Sequence, residues 1–220
     1  MPDTILRAQN LSKHYGQHAV LNDVSFAITQ GEFVALMGPS GHGKSTLLNI
    51  CGLLDRPCTG ELFIAEANAA GIDARTMASV RQQHLGYVFQ DFCLVDDATV
   101  LENVLLPTQQ RPANAAPEVL ARAQTLLEQV GMKGFEQHLP HQLSGGQKQR
   151  AAIARALINQ PTLILADEPT GSLDSENTRA VLEIFEQLHA DGATILMVTH
   201  DQSVASRASR TLQVCDGRVA

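Results

Sequence analysis

The sequence predicts an α/β fold with a layered core. Leu163–Ala166 and Thr194–Thr199 are continuous apolar runs with the length and composition of buried parallel strands. Between them, Ser175–Ala190 has the spacing of an amphipathic helix, and the turn residues Asp191 and Gly192 follow it. Because strand–helix–strand connections return the chain to the same sheet, this order predicts that the two strands run parallel.

Length and composition agree with a folded globular protein. The chain has 220 residues, of which 44% are hydrophobic and 18% charged. Its 16 basic and 23 acidic residues give a net charge of −7, which argues against a nucleic-acid partner and against unaided binding to an anionic membrane. Apolar runs such as Ile195–Val198 are far shorter than the roughly 20 residues that span a bilayer, and Met1–Thr4 lacks a charged-then-apolar leader. We therefore expect no secretion signal, and we expect any membrane role to come through a partner.

The N-terminal part of the chain alternates short β-like runs with turns at Gly16 and Gln30–Gly31. A glycine-rich stretch then precedes a helical pattern, and two further short apolar runs follow. Strands are thus predicted at Ile5–Ala8, Val24–Ile28, Phe33–Met37, Leu62–Ile64 and Leu85–Phe89, and a helix at Lys44–Leu54.

The middle of the chain, about residues 91–160, has a different character. Four prolines punctuate it, at Pro107, Pro112, Pro117 and Pro140. Apolar residues at helical spacing predict a helix at Glu118–Val130, and an alanine-rich run predicts another at Gln147–Asn159, before Pro161. We interpret this part as a helical insertion between two α/β portions, about residues 1–90 and 161–220.

The four cysteines give no support for disulfide bonds. None of Cys51, Cys58, Cys93 and Cys215 forms a C-x-x-C pair, and a chain of this size does not need covalent staples. We interpret them as free thiols in a reducing compartment. A zinc site is the alternative, without support from the spacing.

A glycine-rich pattern lies directly after an apolar strand and directly before a helix. Glycines let backbone N–H groups turn toward phosphate oxygens, and the helix N-terminus adds positive potential. Within this pattern, Lys44 is expected to reach the β- and γ-phosphates and Ser45 to offer its hydroxyl to Mg²⁺. The alternative is a chance glycine turn, which the strand–loop–helix context disfavours. The residues that fit G-x-x-x-x-G-K-[ST] are Gly38, Pro39, Ser40, Gly41, His42, Gly43, Lys44 and Ser45, with Thr46 following.

Two carboxylates end the apolar strand Leu163–Ala166. Asp167 comes first and is the candidate for the Mg²⁺ side of a nucleotide site. Glu168 follows and suits a general base that polarises the attacking water. A solvated strand end is the alternative, and the phosphate loop earlier in the chain disfavours it.

A second anion-binding pattern, Leu143–Gln147, precedes the alanine-rich helix. Ser144, Gly145 and Gly146 would present hydroxyl and backbone N–H donors at a helix N-terminus, with Gln147 beside them. With this segment, the chain from about Tyr15 to Gly217 resembles the ATP-binding cassette (ABC) ATPases, and Leu143–Gln147 resembles that family's signature motif.

The resemblance implies a P-loop NTPase fold. The expected architecture is one cassette over residues 1–220, with a mixed-sheet core, a helical subdomain and an N-terminal antiparallel β portion. In this family two cassettes dimerise head to tail, and the signature of one subunit closes on the γ-phosphate held by the other. The resemblance therefore explains why one chain carries two anion sites.

Other positions match the family's motifs one by one. Tyr15 matches the aromatic residue that stacks on adenine, and Gln90 matches the glutamine that contacts Mg²⁺ and the attacking water. Ser172–Asp174 resembles the loop that crosses the dimer interface, and His200 matches the histidine that contacts the γ-phosphate. The resemblance therefore implies that Glu168, Gln90 and His200 take part in catalysis.

Two departures and several finer matches narrow the resemblance. His42 stands where the family often has a small residue, and it would titrate near the phosphates or, as we favour, point to solvent. Cys93–Asp97 replaces a leucine–proline segment in the region that contacts the membrane subunit. Ser45–Ile50, Gly52–Pro57 and two further stretches resemble the lipoprotein-release and macrolide-export branch, with the cell-division ATPase of the FtsE type as a near relative. The two further stretches are Leu101–Val104 and Ala166–Asp174.

The function that this resemblance implies is ATP hydrolysis with Mg²⁺ by a homodimer. The dimer would serve an integral membrane permease on a separate chain, and it would lie in the cytoplasm, peripheral to the inner face of the membrane. As the subunit of a transporter or of a mechanotransmission complex, which drives shape changes in its membrane partner, it would power export or release of a lipoprotein, macrolide or peptide. The alternatives are a regulatory or cell-division-type ABC ATPase that does not transport, a DNA-repair-type ATPase, and a small-molecule kinase that uses the phosphate loop alone.

Overall fold

Ten strands and seven α-helices make up the computed structural model, which describes residues 3–65, 67–69, 71–110 and 112–219. Short 3₁₀ turns lie at Leu106–Thr108, Pro112–Asn114 and Pro140–Gln142. The strands are β1 (Thr4–Tyr15), β2 (His18–Thr29), β3 (Phe33–Met37), β4 (Thr59–Ile64), β5 (Ala67–Asn68), β6 (Leu85–Val88), β7 (Leu163–Asp167), β8 (Ile195–Val198), β9 (Arg210–Cys215) and β10 (Arg218–Val219). The helices are α1 (Lys44–Cys51), α2 (Ala74–His84), α3 (Val100–Leu105), α4 (Pro117–Gln129), α5 (Gly145–Leu157), α6 (Ser175–Ala190) and α7 (Gln202–Ala205).

The strands form two sheets. The larger has the order β10-β9-β3-β8-β7-β6, with parallel pairing throughout except between β9 and β10. The smaller has the order β2-β1-β4-β5 and is antiparallel. The predicted α/β class, mixed sheet and N-terminal antiparallel portion are therefore confirmed.

Alternation along the central strands divides the core into two clusters. Leu163 and Leu165 of β7 pack with α1 and the N-terminal sheet, whereas Ile164 and Ala166 pack with α3, α4, α5 and α6. Successive side chains of a strand point to opposite faces, so both faces of the sheet are covered and β7 is apolar throughout. The helical segment shares the second cluster with the sheet, and its position is tied to that face.

Local capping explains why some helix boundaries differ from the predicted ones. The helix predicted at Lys44–Leu54 ends at Cys51, because Gly52 follows and Leu53 adopts a left-handed backbone with φ of 56°. The helix predicted at Gln147–Asn159 is α5, and it starts two residues earlier, at Gly145. There the Ser144 hydroxyl accepts from the Gln147 N–H at 3.3 Å, and the Gln147 side chain accepts from the Ser144 N–H at 2.8 Å.

The buried Asn103 of α3 fixes the loop that precedes the helix. Its amide oxygen accepts from the Val95 N–H at 2.7 Å, and its amide group donates to the carbonyls of Val95, Ala98 and Thr99 at 3.0–3.1 Å. The side chain is fully buried. The Asn103 side chain therefore fixes the backbone at Val95 and at Ala98–Thr99. Val95 belongs to Cys93–Asp97, the segment that departs from the family pattern.

Replacing Asn103 by alanine is expected to lower the free energy of unfolding by about 3 kcal/mol, because several backbone groups lose their partner in a buried setting. Chemical denaturation measures this change. Asn114→Ala, at an exposed position of a 3₁₀ turn, is the control and should change stability by less than about 0.5 kcal/mol. Equal stabilities for the two variants would contradict the role given to Asn103.

Cys51 is buried at the end of α1, whereas Cys58, Cys93 and Cys215 are exposed, and all four are free thiols. Burial raises the pKa of the Cys51 thiol to about 12. Among the described residues, no helix combines the length and the apolar character needed to cross a membrane.

Candidate nucleotide-binding site

The phosphate loop connects β3 to α1, and two of its glycines are required by close approaches. Gly38 has φ of 150°, and a Cβ there would lie 2.0 Å from the Val214 carbonyl oxygen of β9. Gly43 has φ of 94°, and its Cβ would lie 2.8 Å from the Val20 carbonyl oxygen. Neither position accepts a side chain without a backbone shift. The backbones of β2 and β9 therefore pack directly against the loop at these two glycines.

The Lys44 ammonium group lies inside the loop. Its Nζ donates to the carbonyls of Gly38 and Pro39, both at 2.8 Å, and only 6% of the residue is exposed. A cavity of about 470 Å³ opens beside it, lined in part by Ser40, Gly41, Gly43, Lys44, Ser45, Thr46 and Glu168. The lysine thus adds a positive charge to the lining of this cavity.

His42, within the loop, is bound to the turn between β9 and β10. Its Nδ1 accepts from the Asp216 N–H at 3.0 Å, and its side chain is 30% exposed. The favoured expectation that this ring simply points to solvent is therefore wrong, because the hairpin turn supplies a backbone donor.

An oxygen pair suited to Mg²⁺ lies at the end of β7. The Ser45 hydroxyl donates to Asp167 Oδ1 at 3.3 Å. Burial raises the pKa of Asp167, and the neighbouring Glu168 adds to this, while Ser45 and Lys44 oppose it. Adjacent ligands of octahedral Mg²⁺, with bonds of about 2.1 Å, lie about 3 Å apart. The two oxygens fit this arrangement, and a divalent cation would offset the cost of a buried carboxylate.

Glu168 and His200 meet beyond the carboxyl ends of β7 and β8. The His200 Nδ1 lies 3.1 Å from Glu168 Oε2, and the Glu168 side chain is 24% exposed. The Glu168 backbone has φ of 43° and donates to the Val198 carbonyl at 3.0 Å. A left-handed backbone at a non-glycine residue costs energy and is common at functional sites.

The Gln90 side chain lies near the Glu168 carboxylate. A Cβ on Gly171 would be 3.2 Å from Gln90 Nε2 and 3.4 Å from Glu168 Oε2, so the amide and the carboxylate flank one glycine. The sequence separates Gln90, Glu168 and His200 widely, and the fold brings them together.

Tyr15 lies at the end of β1 with 51% of its surface exposed. Its hydroxyl donates to Asp55 Oδ2 at 2.6 Å. This hydrogen bond to the carboxylate is the main reason that the pKa of Tyr15 is raised, with desolvation adding to it. The motif comparison identified Tyr15 and not its partner, because an aspartate 40 residues away carries no local signal of this contact.

The Ser144–Gln147 segment has neighbours from other parts of the chain. Gly145 lies beside Leu173 and Phe92, and a Cβ on Gly146 would be 1.8 Å from Asn177 Oδ1. Because Ser144 Oγ caps α5 as an acceptor, its O–H remains available to donate. Asn177, at the start of α6, was not predicted as a site residue. The available sequence signal is the glycine at Gly146, which is typical of a position where another group approaches the backbone closely.

A family model described as "ABC transporter" matches residues 21–171. The chain belongs to the ABC transporter family. It is 45% identical over 222 residues to the macrolide export ATP-binding/permease protein MacB of Bartonella henselae, a match that covers 99% of the chain and 33% of that relative. It is also 45% identical over 219 residues to the ABC transporter ATP-binding protein YvrO of Bacillus subtilis, covering 98% and 95%.

Solved structures of ABC cassettes are similar over nearly the whole chain. The dimeric post-hydrolysis structure of the ATP-binding cassette MJ0796, bound to ADP and phosphate, has a TM-score of 0.88 and 41% identity, and the match covers 97% of this chain and 96% of that one. The chain is thus an ABC ATPase cassette. It spans about a third of the length of the MacB relative and nearly all of YvrO.

Proposed function

We propose that the chain is the Mg-ATP-hydrolysing subunit of an export or mechanotransmission complex. The observation that carries this proposal is the convergence of Lys44, Asp167, Glu168 and His200 at the carboxyl ends of β3, β7 and β8. Ligand sites of α/β folds lie at this edge of the sheet. We propose one functional domain over residues 1–220, with the α/β core at about 1–90 and 161–220 and the helical subdomain at about 91–160.

Each group has a distinct task in this proposal. The loop N–H groups and Lys44 hold the β- and γ-phosphates, with Ser45, Asp167 and Gln90 holding Mg²⁺. When bound, Mg²⁺ offsets phosphate charge. Glu168 orients the attacking water and accepts its proton, and its 3.1 Å contact with His200 supports a role of that histidine in keeping the carboxylate in place near the γ-phosphate. Tyr15 stacks on the adenine.

The proposed active form is a head-to-tail homodimer. In the segment Ser144, Gly145, Gly146 and Gln147, the Ser144 hydroxyl and the N–H groups of Gly145 and Gly146 are the donors at the start of α5, which suits a phosphate oxygen. Within one chain their neighbours come from Phe92, Leu173 and Asn177 rather than from the phosphate loop. The dimeric MJ0796 cassette supports a second copy as the source of the nucleotide.

The proposed partner is an integral membrane permease, which would keep the chain peripheral to the inner face of the cell membrane. The ATP-binding/permease relative supports this, since the present chain matches only a third of it. A cavity of about 630 Å³ lies beside α2, β6 and α5 and is lined in part by Tyr87, Phe89 and Leu106. Phe89 directly precedes Gln90 in the sequence. Leu106 is 46% exposed. We propose that an intracellular segment of the permease binds in this cavity. The proposed cargo is a lipoprotein, macrolide or peptide.

The products of ATP turnover test this function. Purified chain with Mg²⁺ and γ-labelled ATP should release the label as inorganic phosphate, and chelation of Mg²⁺ should stop the reaction. Label transferred to a small molecule would establish the kinase alternative instead. Reconstitution in lipid nanodiscs with the proposed permease subunit should stimulate hydrolysis. A lack of stimulation together with unaided hydrolysis would favour the regulatory alternative.

A further inference from the structure

We infer that Asp55 is a positioning residue for the nucleotide base, because it holds the Tyr15 ring at a fixed place relative to the phosphate loop. This inference rests on the proposed stacking of Tyr15 on adenine. A half-exposed tyrosine at a strand end would otherwise exchange between rotamers, and ordering it would cost binding energy. The 2.6 Å hydrogen bond from the Tyr15 hydroxyl to Asp55 Oδ2 selects one rotamer before the nucleotide arrives.

The second oxygen of Asp55 is fixed as well. Asp55 Oδ1 accepts from Lys13 Nζ at 2.6 Å and from the Arg56 N–H at 2.7 Å. Lys13, only 8% exposed, also donates to the Arg56 carbonyl at 2.7 Å. Burial opposes ionisation, but the hydrogen bonds from Lys13 and Tyr15 outweigh it and lower the pKa of the Asp55 carboxyl. A charged, doubly anchored acceptor makes the bond to Tyr15 strong and directional.

Lys13 also determines which face of the ring is available. Its Nζ lies 5.0 Å from the centroid of the Tyr15 ring, over the ring. A cation on one face is a favourable cation–π partner and leaves the opposite face for a flat base. The pair of Lys13 and Asp55 therefore sets both the direction and the open side of the Tyr15 ring.

Asp55 ties this platform to the phosphate loop through α1. The Asp55 N–H donates to the Asn49 carbonyl at 3.3 Å, and the Leu54 N–H donates to the same carbonyl at 2.9 Å. Asn49 lies in α1, whose first residue is Lys44, and its side chain accepts from the Tyr87 hydroxyl at 2.7 Å. The residue that anchors Tyr15 is thus joined through α1 to the phosphate loop, as recognition of a ligand with both a base and phosphates requires.

The test compares ATP with tripolyphosphate, which keeps the phosphates and lacks the base. Calorimetry on Asp55→Ala and Tyr15→Phe should show ATP affinity reduced about five- to tenfold, while tripolyphosphate affinity stays at the wild-type value. The double variant should be no weaker than Asp55→Ala alone, because Tyr15→Phe removes a contact that Asp55→Ala has already removed. In steady-state assays the loss should fall on KM for ATP rather than on kcat. Glu61→Ala, an exposed acid on the same sheet, is the matched control.

The possible outcomes separate the inference from the proposed function. ATP affinity unchanged in Tyr15→Phe and Asp55→Ala, or an equal loss for ATP and tripolyphosphate, overturns the positioning role. If Asp55→Ala fails to fold, Tyr15→Phe alone still tests the positioning role, since it removes only the hydroxyl. If Tyr15→Ala also binds ATP like the wild type, the stacking role of Tyr15 is wrong, and the positioning role of Asp55 is wrong with it.

Discussion

Glu168→Gln is expected to bind Mg-ATP normally and to hydrolyse it at least about 100-fold more slowly than the wild type. The amide keeps the size of the carboxylate but cannot accept a proton from the attacking water. Because ATP closes the proposed dimer and hydrolysis reopens it, the variant should accumulate as an ATP-bound dimer. Phosphate release and size-exclusion chromatography with and without ATP measure the two effects.

Glu183→Gln is the control for this substitution. Glu183 is exposed on α6, so the same change of charge there should leave both hydrolysis and oligomeric state as in the wild type. A Glu168→Gln variant that hydrolyses at the normal rate, or that remains monomeric with saturating ATP, would remove Glu168 from the role of general base.

Lys44→Ala should abolish detectable nucleotide binding, with a loss of affinity of at least about 100-fold. The ammonium group is the buried charge of the phosphate cavity, and a charged hydrogen bond in a partly dry site contributes more than a neutral one. Its removal also leaves the Gly38 and Pro39 carbonyls without this donor, which loosens the loop. Titration with a fluorescent ATP analogue measures the affinity.

Lys133→Ala provides the comparison for Lys44→Ala. Lys133 pairs with Glu128 on an exposed surface, where such a pair contributes little, so its loss should change neither nucleotide binding nor stability measurably. Unchanged nucleotide affinity in Lys44→Ala would show that the cavity beside the loop is not the phosphate site.

The sequence predicted the elements whose signals are local. The glycine spacing around Lys44 and the apolar runs of β7 and β8 are dictated by backbone geometry and burial, and they are readable within ten residues. The helix α2 and the strand β9 were not predicted. Only Met77 of α2 is buried, and β9 alternates weakly because it pairs near the sheet edge, with Leu212 and Val214 turned inward.

The same distinction holds for the candidate site. Motif matches identified Asp167, Glu168 and His200 one by one, but the contact between Glu168 and His200 depends on the parallel register of β7 and β8. The reason that Gly38 has no side chain lies in Val214, a residue of an element that was not predicted. Long-range pairings of this kind follow from sheet topology rather than from the spacing of residues along the chain.

The burial of Cys51 has a consequence for thiol chemistry. Three thiols are exposed, while Cys51 is buried at the end of α1 with a strongly raised pKa, so it is both inaccessible and protonated near neutral pH. An alkylating reagent should therefore label the native chain at three sites and reach the fourth only when α1 detaches from the sheet. The rate of that last labelling step would report how often α1 separates from the sheet, without any added probe.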